Sequence, residues 1–235
     1  MGSSVFEKAK FRLTGDCGLL VEYGDAIDPA VNQKVRSMAI VLQDRMPAGV
    51  IETIPTYRSI LIYYNPLITN PSILKATLTD WENSLSQIEI PPPKVVDIPV
   101  CYGGAYGPDI AHVAQSHHLT VQEVIDHHSE PEYLIYMVGF TPGFPFLGGL
   151  PEVLHTPRLN TPRTRVPKGS VGIANGQTGI YPIASPGGWQ LIGRTPITLF
   201  APARSNPFLY QAGDYIRFKP ISLDDYQRLS DMEVN

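Results

Sequence analysis

The sequence lacks the features of disulfide-stabilised and membrane-spanning chains. It has two cysteines, Cys17 and Cys101, among 235 residues, too few for a disulfide framework or a cysteine-based zinc site, and this fits a reducing cytosol. No apolar run approaches the ~18 residues of a transmembrane helix. The first residues, MGSSVFEKAKF, lack the apolar segment of a signal peptide. The sequence therefore predicts a cytoplasmic protein that does not enter a membrane.

Several motifs of nucleotide and hydrolase chemistry are missing as well. The sequence has no GxxxxGKS/T loop, no GxGxxG after a strand, no GxSxG elbow and no HExxH helix. The net charge of −4 disfavours nucleic acid as a partner. The doublets His117-His118 and His127-His128 lie on either side of a predicted helix break, so we expect solvated histidines and no metal site in this chain.

Acidic residues are absent from one long window. Between Val153 and Gly213 the sequence has no Asp or Glu but six basic residues, so this window carries +6 while the whole chain carries −4. The basic residues are Arg158, Arg163, Arg165, Lys168, Arg194 and Arg204. Because acids are absent where bases are present, we favour an anion site or an interface over the alternative, a solvated face.

Glycine and proline are concentrated in the same part of the chain. Of the 20 Gly and 23 Pro, 24 lie in residues 139–220. Proline restricts φ and glycine permits positive φ, so loops rich in both can hold side chains in place. From Tyr133 onward, short β-runs are interrupted every 8–12 residues, which is typical of a closed barrel or a sandwich. Trp189 and Phe144 are expected in its core.

The first 90 residues alternate strands and helices in a different pattern. Their order is β-α-β-β-α, which predicts the start of a ferredoxin-like split βαβ unit whose last strand is either Val95–Val100 or missing. The strands are Gly18–Tyr23, Val50–Ile54 and Ser59–Tyr64, and the helices begin at Asp28-Pro29 and Asn70-Pro71. We therefore predict an α+β domain at 1–90, a proline-rich linker at 91–94 and a mainly-β domain at 95–235.

Longer blocks of sequence resemble a known protein family over nearly the whole chain. This is the family variously called the 5-oxoprolinase B subunit, allophanate hydrolase subunit 1, or KipI, the inhibitor of a sporulation kinase. Cys17 stands where the family pattern has Ala, which is a small replacement. The blocks are GDCGLLVEYGDAIDP (15–29), PTYRS (55–59), IPVCYGGAYGPDI (98–110), GFTPGFPFLGGL (139–150), TPR (161–163) and VPKGSVGIANGQTGIYPIASPGGWQLIGRTP (166–196).

The resemblance implies a fold and a set of partners. The second domain is expected to be a cyclophilin-like β-barrel, without prolyl isomerase activity, because fold does not carry function. The chain is expected to act with a sister C subunit of related barrel fold and a lactam-handling A subunit, opening 5-oxoproline to glutamate with ATP hydrolysis. ATP would be bound by, or shared with, the partner. The alternatives are a KipI-like inhibitor of a sensor histidine kinase, a component of allophanate hydrolase or urea carboxylase, and a structural partner without chemistry.

The site residues follow from what such a reaction requires. A carboxylate must be held and an unreactive lactam carbonyl activated, and arginines suit a carboxylate or a transferred phosphoryl group, while Gln and Tyr can bind an amide. The predicted substrate- and anion-binding residues are Arg158, Arg163, Gln177, Tyr181 and Arg194. The catalytic residue is unknown. His155 is the candidate, because it is the histidine inside the basic window, and a loop histidine is the alternative.

Overall fold

The computed structural model describes residues 4–234 and divides the chain into two compact units, 1–92 and 93–235. The first unit contains one four-stranded antiparallel sheet with the order β1-β2-β4-β3 and two helices. Its elements are β1 (Val5–Leu13), β2 (Gly18–Gly24), α1 (Pro29–Asp44), β3 (Val50–Pro55), β4 (Ser59–Tyr64) and α2 (Pro71–Glu82).

Both helices of the first unit begin where the sequence predicts. Asp28 accepts hydrogen bonds from the backbone of Ala30 and Val31, and Asn70 accepts from Ser72 and Ile73, with a proline at the first helical position in each case. An N-terminal cap of this kind contributes about 1 kcal/mol. The buried face of α1 carries residues four or three apart, as a helix packed on a sheet requires. These are Val31, Val35, Met38 and Leu42.

The sheet of the first unit corrects the predicted strand order. In the chain, α1 connects β2 to β3, and in the sheet β4 lies between these two strands. This arrangement is a split βαβ unit. The fourth strand of the sheet is β1, which precedes β2, whereas Val95–Tyr102 belongs to the second unit. The prediction missed β1 because its residues, VFEKAKFRL, are partly exposed and heavily charged. Within residues 4–234, no strand after α2 joins this sheet, so the ferredoxin-like pattern is only partly formed.

The second unit is a closed barrel of seven strands, which is one of the two architectures, barrel or sandwich, that the spacing of Gly and Pro predicts. The strand order is β10-β7-β6-β13-β5-β12-β9, and β9 closes it on β10. β5 and β13 are parallel, and the other pairs are antiparallel. The strands are β5 (Val95–Tyr102), β6 (Glu132–Val138), β7 (Pro145–Gly148), β9 (Ser170–Ala174), β10 (Gln177–Ile180), β12 (Gln190–Arg194) and β13 (Tyr215–Pro220).

Further elements complete the second unit. β8 (Arg163–Val166) pairs with β11 (Ser185–Gly187) in a separate two-stranded sheet. Three helices, α3 (Ile110–Ser116), α4 (Val121–Ser129) and α5 (Leu223–Val234), belong to the same unit. α4 begins with a capping box between Thr120 and Glu123. No helix of residues 4–234 is long and apolar enough to cross a bilayer.

His128 on α4 is wholly buried, so the expectation that both histidine doublets are solvated is wrong at this position. Its Nε2 lies 2.8 Å from Thr178 Oγ1, and its Nδ1 lies 2.8 Å from the hydroxyl of Tyr102. Thr178 Oγ1 donates its own proton to the carbonyl of Gly172, so it accepts from Nε2–H of His128. Nδ1 therefore accepts from Tyr102, and the imidazole is neutral and connects α4 to three barrel strands.

Candidate functional site

The second unit contains a polar cleft of about 420 Å³ between α3 and the segment 155–160. We call it the histidine cleft, because three imidazoles line it. The lining residues contain no Asp or Glu. They are His112, Ser116, His117, His155, Thr156, Pro157, Arg158, Leu159, Asn160 and Gln190.

Hydrogen bonds to the cleft wall determine the tautomers of two of these histidines. His155 Nε2 lies 2.8 Å from the carbonyl oxygen of Leu150, so Nε2 carries a proton and donates. His117 Nε2 lies 3.0 Å from Thr156 Oγ1, which itself donates to the carbonyl of Leu154. Thr156 must therefore accept from Nε2–H of His117. In both rings Nδ1 is left as the nitrogen that can accept a hydrogen bond.

Gln190 contributes a buried amide to the same cleft. Its side chain is 3% exposed, and its Nε2 donates to the carbonyl oxygen of Pro157 at 2.9 Å. This hydrogen bond orients the amide, and Oε1 then has no hydrogen-bond partner among the described residues. A buried acceptor without a donor is unfavourable by about 1–3 kcal/mol. The cleft therefore has one unsatisfied acceptor in its wall.

A smaller pocket of about 200 Å³ adjoins the histidine cleft and is walled by aromatic rings. We call it the aromatic pocket. Phe144 meets Tyr181 and Trp189 edge-to-face, with ring centroids 5.2 Å and 5.6 Å apart. Phe144 and Trp189 are buried, as predicted. The lining residues are Phe140, Phe144, Phe146, Arg158, Tyr181, Gly187, Gly188 and Trp189.

Tyr181 is a wall of the aromatic pocket and not an exposed amide-binding group. It is buried, and burial raises the pKa of its hydroxyl, while a hydrogen bond from the Trp189 backbone and the charges of Arg158 and Arg163 oppose that shift. Gly187 lies against this hydroxyl, since a Cβ there would collide with the Tyr181 oxygen. Tyr181 therefore remains neutral and maintains the shape of the pocket.

Arg158 is the one predicted arginine that lines both cavities. Its guanidinium carbon lies 5.9 Å from the centre of the Trp189 ring, and the side chain is exposed. A guanidinium placed on an aromatic face keeps its outer N–H donors available for a second partner. His155 lines the histidine cleft beside it. These two residues are the part of the predicted site that the structure brings together.

Arg163 has a carboxylate partner, contrary to the expected carboxylate-free pocket. Its NH2 group lies 2.6 Å and 2.8 Å from the two carboxylate oxygens of Asp109, and NH1 donates to the carbonyl of Trp189 at 3.2 Å. Asp109 also accepts from the backbone of Leu191 at 2.6 Å. Asp109 precedes the acid-free window in the sequence. Arg163 therefore ties α3 to β12 and is not available as an anion ligand.

Arg194 and Gln177 lie elsewhere in the barrel. Arg194 ends β12, four residues beyond Gln190 and thus ~13 Å away along the strand. Its guanidinium carbon lies 5.3 Å from the centre of the Tyr106 ring, and it hydrogen-bonds Tyr226 of α5. Gln177 begins β10 and lines neither cavity. Arg194 and Gln177 therefore line neither the histidine cleft nor the aromatic pocket.

Three residues of the histidine cleft are absent from the predicted site. His112 and His117 precede the basic window, on and directly after α3, and Gln190 lies inside the longest family-like block. The sequence offered no signal for the two histidines, because a five-residue spacing turns about 140° around a helix and predicts different faces. Among residues 4–234, no group of three His, Cys, Asp or Glu side chains could hold a metal ion.

Comparison with known proteins identifies relatives across most of the chain. The family model described as carboxyltransferase domain, subdomain C and D, matches residues 9–210. The chain is 42% identical to the 5-oxoprolinase B subunit of Bacillus subtilis, covering 90% of this chain and 92% of that protein. It is 43% identical to the 5-oxoprolinase B subunit of Escherichia coli O157:H7, covering 91% and 97%.

More distant matches are to longer proteins. The crystal structure of TTHA0988 superposes with a TM-score of 0.76 at 34% identity, over 87% of this chain and 40% of that one. Urea amidolyase of Lachancea kluyveri is 27% identical over 97% of this chain but only 14% of its own length. This chain thus spans about two fifths of TTHA0988 and about one seventh of that urea amidolyase.

Proposed function

The chain belongs to the family of carboxyltransferase domains, subdomain C and D, and from this premise we propose that it is the B subunit of an ATP-dependent 5-oxoprolinase. The observation that carries the proposal is the identity of 42–43% to two proteins named as the B subunit of 5-oxoprolinase, along nine tenths of each chain. The proposed reaction converts 5-oxoproline, ATP and water to glutamate, ADP and phosphate. The urea carboxylase alternative is supported only by the more distant match.

The protein is proposed to act within a complex and not alone. The name of its relatives implies further subunits, and TTHA0988 continues well beyond the segment that this chain matches. A sister C subunit of related barrel fold and a lactam-handling A subunit are the proposed partners. ATP supplies the phosphoryl group and the free energy of the reaction, and is proposed to be shared with a partner.

Arg158 is the residue of this chain proposed to hold charge during the reaction. Its exposed guanidinium borders a cavity with aromatic walls and a cleft without carboxylates, so it can bind the carboxylate of 5-oxoproline or a transferred phosphoryl group. A preorganised cation stabilises negative charge that develops in a transition state. The aromatic pocket beside it suits a small ring. His155 stays the candidate for proton transfer.

The reconstituted complex tests this proposal. The chain is combined with the sister and lactam-handling subunits, and phosphate release that depends on 5-oxoproline is measured. We expect Arg158→Gln to lower kcat/KM about tenfold or more, since a charge-assisted contact is lost. Arg165→Gln is the matched control, because Arg165 is exposed on β8 and lines neither cavity. An assembled Arg158→Gln complex with wild-type turnover would contradict the role of Arg158, and an inactive wild-type complex would contradict the function.

We also propose that the units 1–92 and 93–235 correspond to two domains, joined by the proline-rich segment 91–94. The split βαβ arrangement supports a ferredoxin-like relationship for the first, and the closed seven-stranded barrel supports a cyclophilin-like one for the second. A cytoplasmic location and inhibition of a histidine kinase stay predictions. Autophosphorylation of a candidate kinase with and without excess chain tests the latter.

A further inference from the structure

The histidine cleft combines positive charge with an absence of competing acids. Arg158 supplies a permanent charge, and three imidazoles line the cleft with it. The carboxylate close in sequence to His112 is that of Asp109, which begins α3 and is already bound to Arg163 and to a backbone N–H. The cleft therefore presents a cationic group, Arg158, whose charge is not neutralised by the other lining residues.

The hydrogen-bonding capacity of the cleft also fits an oxyanion. His117 and His155 use Nε2–H to bind the wall, so Nδ1 of each ring is free of these bonds and can accept from a protonated oxygen of a phosphate group. Hydrogen-bonding groups come from α3 on one side and from residues 155–158 on the other. A tetrahedral group with several oxygens matches this arrangement better than a planar carboxylate with two.

We propose that the histidine cleft binds an oxyanion of the phosphate class, with Arg158 as the fixed charge and the three histidines as hydrogen-bonding groups around it. The aromatic pocket, which shares Arg158, would then take the organic part of a ligand. This inference deepens the proposed function, because it gives the phosphate of an ATP-dependent reaction a place on this chain. The phosphate group of ATP and free phosphate have the same recognition chemistry, and the experiment distinguishes them.

Binding is measured on the full chain alone, by the side-chain NMR signals of the histidines during titration with inorganic phosphate. We expect the signals of His112, His117 and His155 to shift together, and Arg158→Gln to raise the Kd about tenfold or more. His117→Gln, which keeps a donor for Thr156, is expected to weaken binding several-fold. The control Arg165→Gln is expected to bind as the wild type does. Near-UV circular dichroism verifies that each variant is folded.

The choice of ligand separates the remaining outcomes. Tighter binding of ATP than of phosphate supports a nucleotide ligand, and equal or tighter binding of phosphate supports free phosphate. The proposal is overturned if no imidazole signal shifts up to about 10 mM phosphate, if Arg158→Gln binds normally, or if 5-oxoproline occupies the cleft in preference to phosphate.

These results are independent of catalysis by the complex. Turnover of 5-oxoproline by the reconstituted complex, without phosphate binding to the isolated chain, would overturn the cleft assignment and leave the proposed function standing. Phosphate binding without any turnover would support the cleft and refute the function.

Discussion

His128 should make the barrel sensitive to acid. Its imidazole is fully buried, with its ring centre 4.5 Å from that of Phe218, and both nitrogens are hydrogen-bonded to Tyr102 and Thr178. Burial lowers its pKa to about 3, because the charged form cannot be hydrated there. In the unfolded chain the same side chain titrates near pH 6.5.

The direction of the pH effect follows from these two values. Between about pH 6.5 and pH 3 the unfolded chain binds a proton that the folded chain does not, so the free energy of unfolding falls as pH falls. Above pH 6.5 both states are neutral and the effect vanishes. Each pH unit below 6.5 lowers the free energy of unfolding by about 1.4 kcal/mol. His128 alone therefore lowers the stability of the barrel by about 2 kcal/mol at about pH 5.

The substitution His128→Gln isolates this contribution. Glutamine supplies an N–H donor for Thr178 and an acceptor for Tyr102 but does not titrate, so the variant should lose about 1–3 kcal/mol at neutral pH. Its stability should then fall by about 2 kcal/mol less than that of the wild type between about pH 7 and pH 5. Urea unfolding is followed by the fluorescence of Trp189 in a Trp81→Phe background, since Trp189 lies in the barrel unit. His112→Gln, at an exposed position on α3, is the control.

The outcome that would refute this reasoning is a common pH slope. If wild type, His128→Gln and His112→Gln lose stability in parallel between about pH 7 and pH 5, the buried imidazole does not control acid sensitivity. The carboxylates contribute equally to all three proteins, so the difference in slope is the quantity that reports His128.

Two further substitutions test the construction of the site. Gly187→Ala should lower the free energy of unfolding by about 1–3 kcal/mol and shift the emission of Trp189, because the new methyl group collides with the Tyr181 hydroxyl. The control Gly188→Ala, whose Cβ would lie 3.5 Å from Pro162 Cγ, should be nearly neutral. Equal effects of the two substitutions would contradict the geometry of the pocket. Asp109→Asn should lower the free energy of unfolding in urea by about 2–4 kcal/mol, because Arg163 loses its charged partner. The control Glu130→Gln, at an exposed position, should change it by less than about 0.5 kcal/mol. A similarly small effect of Asp109→Asn would show that the ion pair does not stabilise the fold.

Features that depend on neighbours in sequence were predictable. The caps at Asp28 and Asn70 use hydrogen bonds that span two or three residues, so residue type and spacing were sufficient. The punctuation by Gly and Pro predicted a barrel or a sandwich, because each short strand must turn back to meet a neighbour, and the family resemblance implied the barrel that the structure shows. The strand β1 was missed, since its exposed Lys and Glu residues hide the alternation of a sheet edge.

The location of charge partners was not predictable in the same way. The window without acids contains Arg163, yet Asp109 reaches it from 54 residues earlier. Arg158 and Arg194 share that window, yet Arg158 lies against the Trp189 ring and Arg194 against the Tyr106 ring. Absence of acid along the sequence therefore did not mean absence of acid in space.

The sequence by itself determined the family, the barrel and the basic character of the segment around Arg158, since these depend on composition, spacing and long matching blocks. Only the tertiary structure decided which basic residues share a cavity. It brought His112, His117 and Gln190 to the same cleft as His155 and Arg158, paired Arg163 with Asp109, and placed Arg194 against Tyr106. The physical reason is that a binding site depends on which helix packs against which strand and loop, and those contacts join residues far apart in the chain.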